Sequence, residues 1–157
     1  MKKFSLTELL IFIVSAELTG ALSALLSGSF SSLYQELSAP PFSPPAWLFP
    51  VVWTILYAVM GTSAYIVYRF EDAGDLRIPA LGIYIAQLAV NFSWSIIFFR
   101  FRALTLAALT AVLLVILVGA MIVSFRRVSK LAAYMNIPYL MWSIFASYLA
   151  IGFRVLN

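Results

Sequence analysis

A stripe of amide and aromatic side chains is the part of this sequence best suited to bind another molecule. Tyr84, Gln87, Asn91 and Trp94 stand at positions i, i+3, i+7 and i+10, so a helix places all four on one face. Amides are costly against lipid, so we expect this face to point inward, either for hydrogen bonds between helices or to line a cavity. The flanking rings favour the cavity.

Aromatic residues recur at helical spacing in two further segments. Trp53 and Tyr57 precede Gly61 at four-residue steps, and Trp142 lies three residues before Phe145. Core packing explains such rings as well as a binding site does. The alternative is a pocket for a flat, mostly apolar ligand that a few polar groups orient.

Glu17 lies in the middle of the first apolar segment. An ionisable residue inside a membrane span is a candidate functional group. The structural alternative is a neutral carboxyl group hydrogen-bonded to a neighbouring helix.

The chain has no Cys and no His, which excludes thiolate nucleophiles, the usual zinc sites and imidazole catalysis. We therefore expect no cofactor and no metal.

The composition is that of an integral membrane protein. Apolar residues make up 64% of the 157-residue chain and charged residues 10%, against about 45–50% and about 25% in soluble domains. The formal net charge is +4, but the basic residues form no stripe outside the apolar segments. We therefore expect no nucleic-acid partner. The predicted fold class is an all-α membrane protein, in which residues 1–157 form a single transmembrane domain.

Five stretches are long enough to cross a bilayer, which takes about 20 helical residues. The predicted spans are Leu6–Leu26, Trp47–Tyr68, a segment from after Pro79 to near Phe99, Ala103–Phe125 and Leu131–Phe153. The first stretch follows two lysines, as a signal peptide would, but its glutamates argue against that interpretation. Pro138 is expected to kink the fifth span.

The long first loop, Ser27–Pro45, is expected to form a lid. It contains four prolines and also apolar side chains that need a surface to pack on. Ser32 and Gln35 resemble a capping box, which predicts a helical turn over Leu33–Leu37.

Lysine and arginine counts give the orientation: seven lie on the side of the N-terminus and three on the other. This bias predicts a multi-pass protein of the cell membrane with a cytoplasmic N-terminus and the lid outside.

Small residues at four-residue spacing predict close helix contacts. Ala16, Gly20 and Ala24 in the first span are expected to pack tightly against a neighbouring helix. Gly82 and Ala86 in the third span could serve internal packing or the seam of a homodimer, and both alternatives stay open.

Three motifs in order resemble the translocator protein family, also called the tryptophan-rich sensory proteins. They are Pro44-Pro45-Ala46-Trp47 with Val52-Trp53-Thr54-Ile55-Leu56-Tyr57, Gln87-Leu88-Ala89-Val90-Asn91 with Trp94, and Pro138-Tyr139-Leu140-Met141-Trp142 with Phe145. The resemblance covers nearly the whole chain. It implies a five-helix bundle, often dimeric, that binds porphyrins, haem, sterols and benzodiazepine-type drugs in a pocket under the first loop.

Carried over by position, the resemblance implies that the pocket uses Trp53, Tyr57, Asn91, Trp94 and Trp142. Trp53 and Trp142 match the tryptophans that are implicated in light-driven porphyrin breakdown. Ala39 stands where the family usually has a lysine, so a partner for a porphyrin propionate is missing. Together with the residues singled out by helical spacing and by their place in the first loop, the expected ligand-binding residues are Tyr34, Phe42, Trp53, Tyr57, Tyr84, Gln87, Asn91, Trp94, Trp142 and Phe145.

The predicted function is that of a membrane receptor or carrier for tetrapyrroles such as protoporphyrin and haem. One alternative is a light-dependent porphyrin-degrading enzyme, in which Trp53 and Trp142 would be catalytic. Another is a structural membrane subunit whose aromatic residues form only the core.

Overall fold

Five helical spans run through the computed structural model, which describes residues 4–28 and 30–157. Three spans are single helices, α1 (Leu6–Ser27), α3 (Leu48–Arg69) and α5 (Leu104–Val128). The third span joins a 3₁₀ turn (Glu71–Leu76), α4 (Arg77–Ser95) and a π-helical turn (Ile96–Arg100), and the fifth joins α6 (Lys130–Met135) to α7 (Ile137–Leu156). A short helix, α2 (Phe30–Glu36), lies in the first loop. The predicted five-span, all-α architecture is confirmed.

The outer faces of the bundle are apolar. Leu25 is 76% exposed and Ile116 is 62% exposed, and large apolar side chains like these recur along the spans. Exposing such an apolar surface to water is unfavourable, whereas contact with apolar lipid tails is not. Within the bundle, α5 packs against α4 on one side and α7 on the other. Val118, Met121 and Phe125 of α5 are fully buried there.

Polar contacts fix the end of the bundle where α1 begins. The Ser5 side chain caps α1 by accepting a hydrogen bond from the Glu8 backbone N–H. Arg69, at the end of α3, forms an ion pair with Glu8 at 2.9 Å. The Ser5 N–H donates to the Tyr65 hydroxyl at 2.9 Å. These contacts tie the start of α1 to the end of α3.

The fifth span is interrupted at Asn136, two residues before Pro138. The Asn136 backbone lies at φ −92° and ψ 2°, which ends α6 and redirects the chain into α7. Its buried side-chain amide donates to the Ala132 carbonyl and to the Ser63 hydroxyl, each at 2.8 Å. The predicted kink is confirmed, and the Asn136 amide satisfies the Ala132 carbonyl at the interruption.

The first loop covers the opposite end of the bundle as a lid. Leu33 of α2 is buried, and Pro40 packs against the backbone of Gly152 in α7. The Ser38 N–H donates to the Asn157 side-chain oxygen at 2.9 Å, and the Asn157 amide donates back to the Ser38 carbonyl at 3.0 Å. The predicted helical turn is confirmed, but α2 begins three residues earlier than predicted.

Candidate ligand cavity

A cavity of about 340 Å³ lies between α1, α3 and the second half of the third span. This volume falls within the range of about 300–1,000 Å³ that is usual for small-molecule sites. The exposed residues among its lining, Ala21, Ala24, Pro50 and Thr54, place its mouth between α1 and α3. The lining consists of Glu17, Gly20, Ala21, Ala24, Ser27, Phe49, Pro50, Trp53, Thr54, Tyr57, Asn91, Trp94, Ser95 and Phe99.

Flat aromatic rings form one side of the cavity. The Trp53 and Tyr57 rings of α3 lie with their centroids 5.8 Å apart. The Trp94 indole N–H donates to the Ala107 carbonyl of α5 at 3.1 Å, and the ring stacks on Phe98 at 5.4 Å. Trp94 is therefore held in a fixed orientation, so this wall is formed before any ligand binds.

Small side chains of α1 form the facing side. The Tyr57 ring lies where a Cβ on Gly20 would be, so Gly20 leaves the space that this ring occupies. Ala16 is fully buried, whereas Ala24 is exposed and lines the cavity. The predicted close packing of this face of α1 therefore holds at Ala16 and Gly20 but is wrong at Ala24, where the helices leave the cavity open.

A buried hydrogen-bonded chain closes the inner end of the cavity. The Asn91 side-chain amide donates to the Tyr139 hydroxyl at 3.0 Å, and that hydroxyl donates to the Gln87 side-chain oxygen at 2.7 Å. The Gln87 amide in turn approaches the Met60 sulfur at 3.6 Å. Asn91, Gln87 and Tyr139 are all at most 2% exposed, so this chain joins the cavity to the packed core.

Sequence comparison assigns the chain to a family. Residues 10–156 match the TspO/MBR family. The chain belongs to this family. It is 36% identical to the protein CrtK of Rhodobacter capsulatus over 96% of this chain and 92% of that protein. It is 37% identical to the tryptophan-rich protein TspO of Chlorobaculum tepidum (79% and 78%) and 36% identical to the human translocator protein (73% and 68%).

Four of the ten expected ligand-binding residues meet at the cavity. They are Trp53, Tyr57, Asn91 and Trp94, which arrive from α3 and α4. The inward direction predicted for the polar face of α4 is confirmed, because Tyr84, Gln87 and Asn91 are all buried. Tyr84 and Gln87, however, lie in the packed core and not among the cavity residues.

The other four suggested residues lie elsewhere. Tyr34 lines a separate void of about 20 Å³ beneath the lid. Phe42 is 88% exposed on the lid. Trp142 packs against Phe49 with ring centroids 5.8 Å apart and against Phe145 at 5.6 Å, and neither Trp142 nor Phe145 lines the cavity. The Trp142 indole N–H is buried, and no acceptor for it lies among the residues that the structure describes.

Several lining residues were not singled out as binding residues from the sequence. Phe49 and Phe99 line both the cavity and the small void, so together with Trp94 they separate the two spaces. Phe99 belongs to the π-helical turn, whose changed pitch alters the direction of its side chains. The sequence around Phe99 is an apolar run that does not predict a π-helical turn, so the direction of this side chain is known only from the structure.

Proposed function

We propose that this member of the TspO/MBR family is a membrane receptor or carrier that binds tetrapyrroles and similar flat apolar ligands in the cavity. The observation that supports the proposal is the arrangement of Trp53, Tyr57 and Trp94 around a preformed space that opens between two spans. Flat rings offer large stacking areas and lose little side-chain freedom on binding.

Porphyrin binding would rest on stacking and apolar contact and not on metal coordination. The chain has no His and no Cys, the commonest strong axial ligands of haem iron among side chains. Metal-free protoporphyrin should therefore bind about as well as haem. The propionates should stay at the mouth, because burying an unpaired charge is costly. Arg100 follows the lining residue Phe99, donates to the Leu26 carbonyl at 3.2 Å and is exposed, which makes it a candidate partner for a propionate.

A fluorescence titration tests the binding proposal. Protoporphyrin should quench the tryptophan fluorescence saturably, and the Ala24→Phe variant should bind at least about tenfold more weakly because the new ring occupies the cavity. Ala120→Phe, on an exposed face of α5, is the matched control and should bind normally. Unchanged binding by Ala24→Phe, or no saturable quenching of the unaltered protein, would contradict the proposal. The second result would favour a structural subunit without a ligand.

Light-dependent porphyrin breakdown is the second candidate function. An excited porphyrin can take an electron from an adjacent indole, and Trp53 lines the cavity whereas Trp142 packs against Phe49. Trp53→Phe should therefore reduce any breakdown more than Trp142→Phe does. The double variant should abolish breakdown while it keeps protoporphyrin affinity within about tenfold. Product analysis in light and in darkness measures this, and full breakdown by the double variant would remove the enzyme hypothesis.

We propose further that the N-terminus is cytoplasmic and the lid faces outward, on the lysine and arginine bias. Lys2 and Lys3, which contribute to this bias, lie outside the described residues. Because the chain has no native Cys, single cysteines report the topology cleanly. Ala39→Cys in the lid should react with a membrane-impermeant thiol reagent on intact cells, whereas Asp75→Cys should react only after lysis. The reverse pattern would invert the topology.

The exposed face of α4 is proposed as the seam of a homodimer. Gly82 and Ala86 are exposed there, and a Cβ added to Gly82 would meet no described atom within 4 Å. Small residues at this spacing allow two helices to approach closely. Gly82→Cys should form a disulfide-linked dimer under mild oxidation in membranes, and Ala120→Cys on α5 should not. Absence of cross-linking at Gly82 would favour a face that contacts lipid.

A further inference from the structure

One carboxylate group lines the cavity without a hydrogen-bond or ion-pair partner among the residues that the structure describes. Glu17 lies halfway along α1 and is the one acidic residue of the lining, in which the described part of the chain places no Lys or Arg. Two other glutamates have arginine partners, Glu8 with Arg69 at 2.9 Å and Glu36 with Arg102 at 3.1 Å. Both pairs lie at the ends of the bundle.

No hydrogen bond or ion pair joins Glu17 to any residue that the structure describes. The structural alternative considered from the sequence, a carboxyl group bonded to a neighbouring helix, is therefore not what the structure shows. An ionised carboxylate halfway through a span is costly unless it finds a partner. Because Glu17 lines the cavity, water or a ligand in the cavity is in a position to supply one.

We infer that Glu17 makes the cavity selective for flat apolar ligands that carry a protonated amine or another cationic N–H donor. A charge-assisted hydrogen bond to the carboxylate would be strong in this apolar setting. Ala21 and Ala24 lie on the same helix and leave room for the ligand. The faces of Trp53 and Tyr57, which also line the cavity, attract cations. A carboxylate on the ligand would be repelled by Glu17 and confined to the mouth.

The inference depends on the proposed function in one respect, that the cavity admits a flat ring system. It differs from that proposal in the chemistry of the ligand, since a tetrapyrrole dicarboxylic acid has no cationic group for Glu17. The two can therefore be tested with different compounds.

Two three-ring probes of opposite charge test the inference directly. The full chain is placed in phosphatidylcholine nanodiscs, and binding of 9-aminoacridine and of anthracene-9-carboxylate is measured by tryptophan quenching, with empty discs as the partitioning blank. The unaltered protein should prefer 9-aminoacridine by at least about tenfold. Glu17→Gln should reduce this preference to within about threefold, chiefly by weakening the binding of the cationic 9-aminoacridine. Glu17→Asp should keep most of it.

A matched control separates a local carboxylate from net charge. Asp75→Asn makes the same change in net charge, but Asp75 is exposed in the 3₁₀ turn at the far end of the bundle from the lid. This variant should keep the full preference for the cation. Thermal unfolding of both variants checks that each is folded, and the isosteric Glu17→Gln change leaves the packing volume almost unaltered.

Several outcomes would overturn the inference. These are no preference in the unaltered protein, an unchanged preference in Glu17→Gln, an equal loss in Asp75→Asn, or no saturable binding of either probe. The protoporphyrin titration is independent of these results. Cation binding that depends on Glu17 without protoporphyrin binding would support the inference and contradict the tetrapyrrole proposal, whereas the opposite pattern would do the reverse.

Discussion

The two halves of the polar face of α4 have opposite surroundings although they are built from the same residue types. Tyr84 and Gln87 lie in a packed core, whereas Asn91 and Trp94 line an open cavity. Each half pairs an aromatic ring with an amide, so α4 itself does not make the difference. The neighbouring helices α1 and α3 do.

Beside the packed half, α3 brings Gly61 directly against the backbone of α1. An added Cβ at Gly61 would lie 2.7 Å from the Ile13 Cα. This close approach leaves no free space between the helices, and Met60 and Tyr139 fill the remaining volume while contacting Gln87. Beside the cavity half, most of the α1 residues that line the cavity are small, namely Gly20, Ala21, Ala24 and Ser27, so their side chains leave the gap open. The close approach at Gly61 and the small side chains of α1 beside the cavity therefore decide which half is open.

The largest expected effect comes from a glycine change in the packed half. Gly61→Ala would place a methyl group against the α1 backbone, which cannot move aside, and should destabilise the fold by about 1–3 kcal/mol. Gly20→Ala meets the Tyr57 ring, which can swing into the cavity, and should cost less stability but weaken ligand binding. Thermal unfolding in detergent and the protoporphyrin titration measure the two effects. Equal destabilisation by both changes would contradict the distinction between the halves.

A smaller effect is expected at the hydroxyl that links the two halves. Tyr139→Phe leaves the Gln87 oxygen without its described donor and the Asn91 amide without its acceptor, and should cost about 1 kcal/mol. Tyr134→Phe, at an exposed position on α6, is the matched control and should change little. Thermal unfolding measures both. A Tyr139→Phe protein as stable as the unaltered one would show that the buried chain does not couple the cavity to the core.

The smallest effect concerns the lid above the cavity half. The Tyr34 hydroxyl donates to the Pro44 carbonyl at 2.6 Å, and burial raises the pKa of this phenol although its hydrogen bond with Ser43 opposes the shift. A raised pKa means that the lid contact is at full strength below the ordinary tyrosine pKa of about 10 and weakens as the pH rises through the folded-state value.

Proteolysis of the lid between pH 8 and pH 11 tests this pH dependence. Cleavage should increase at the alkaline end in the unaltered protein. Tyr34→Phe should be cleaved slightly faster at pH 8 and should lose the part of the pH dependence that this phenol contributes. A pH profile identical in the two proteins would show that the Tyr34 contact does not hold the lid closed.

The sequence alone predicted much of this protein for a physical reason. Apolar runs of spanning length define the five spans, and a 3.6-residue period gives the direction of each face relative to its own helix axis. The inward direction of Gln87 and Asn91, the kink before Pro138 and the lid that carries Leu33 all follow from local patterns. Each of these features depends on residues that are close together in the chain.

Only the tertiary structure decided where the empty space lies. Whether an inward face meets a neighbour or a cavity depends on how closely two helices approach, and side chains remote in sequence, such as Gly61 and Ile13, set that distance. The same holds for Trp142, which belongs to a family motif yet packs against Phe49 and not in the cavity lining. Periodicity along one helix contains no information about the residues of another, so the cavity and the exposure of Glu17 to it emerged only when the helices were assembled.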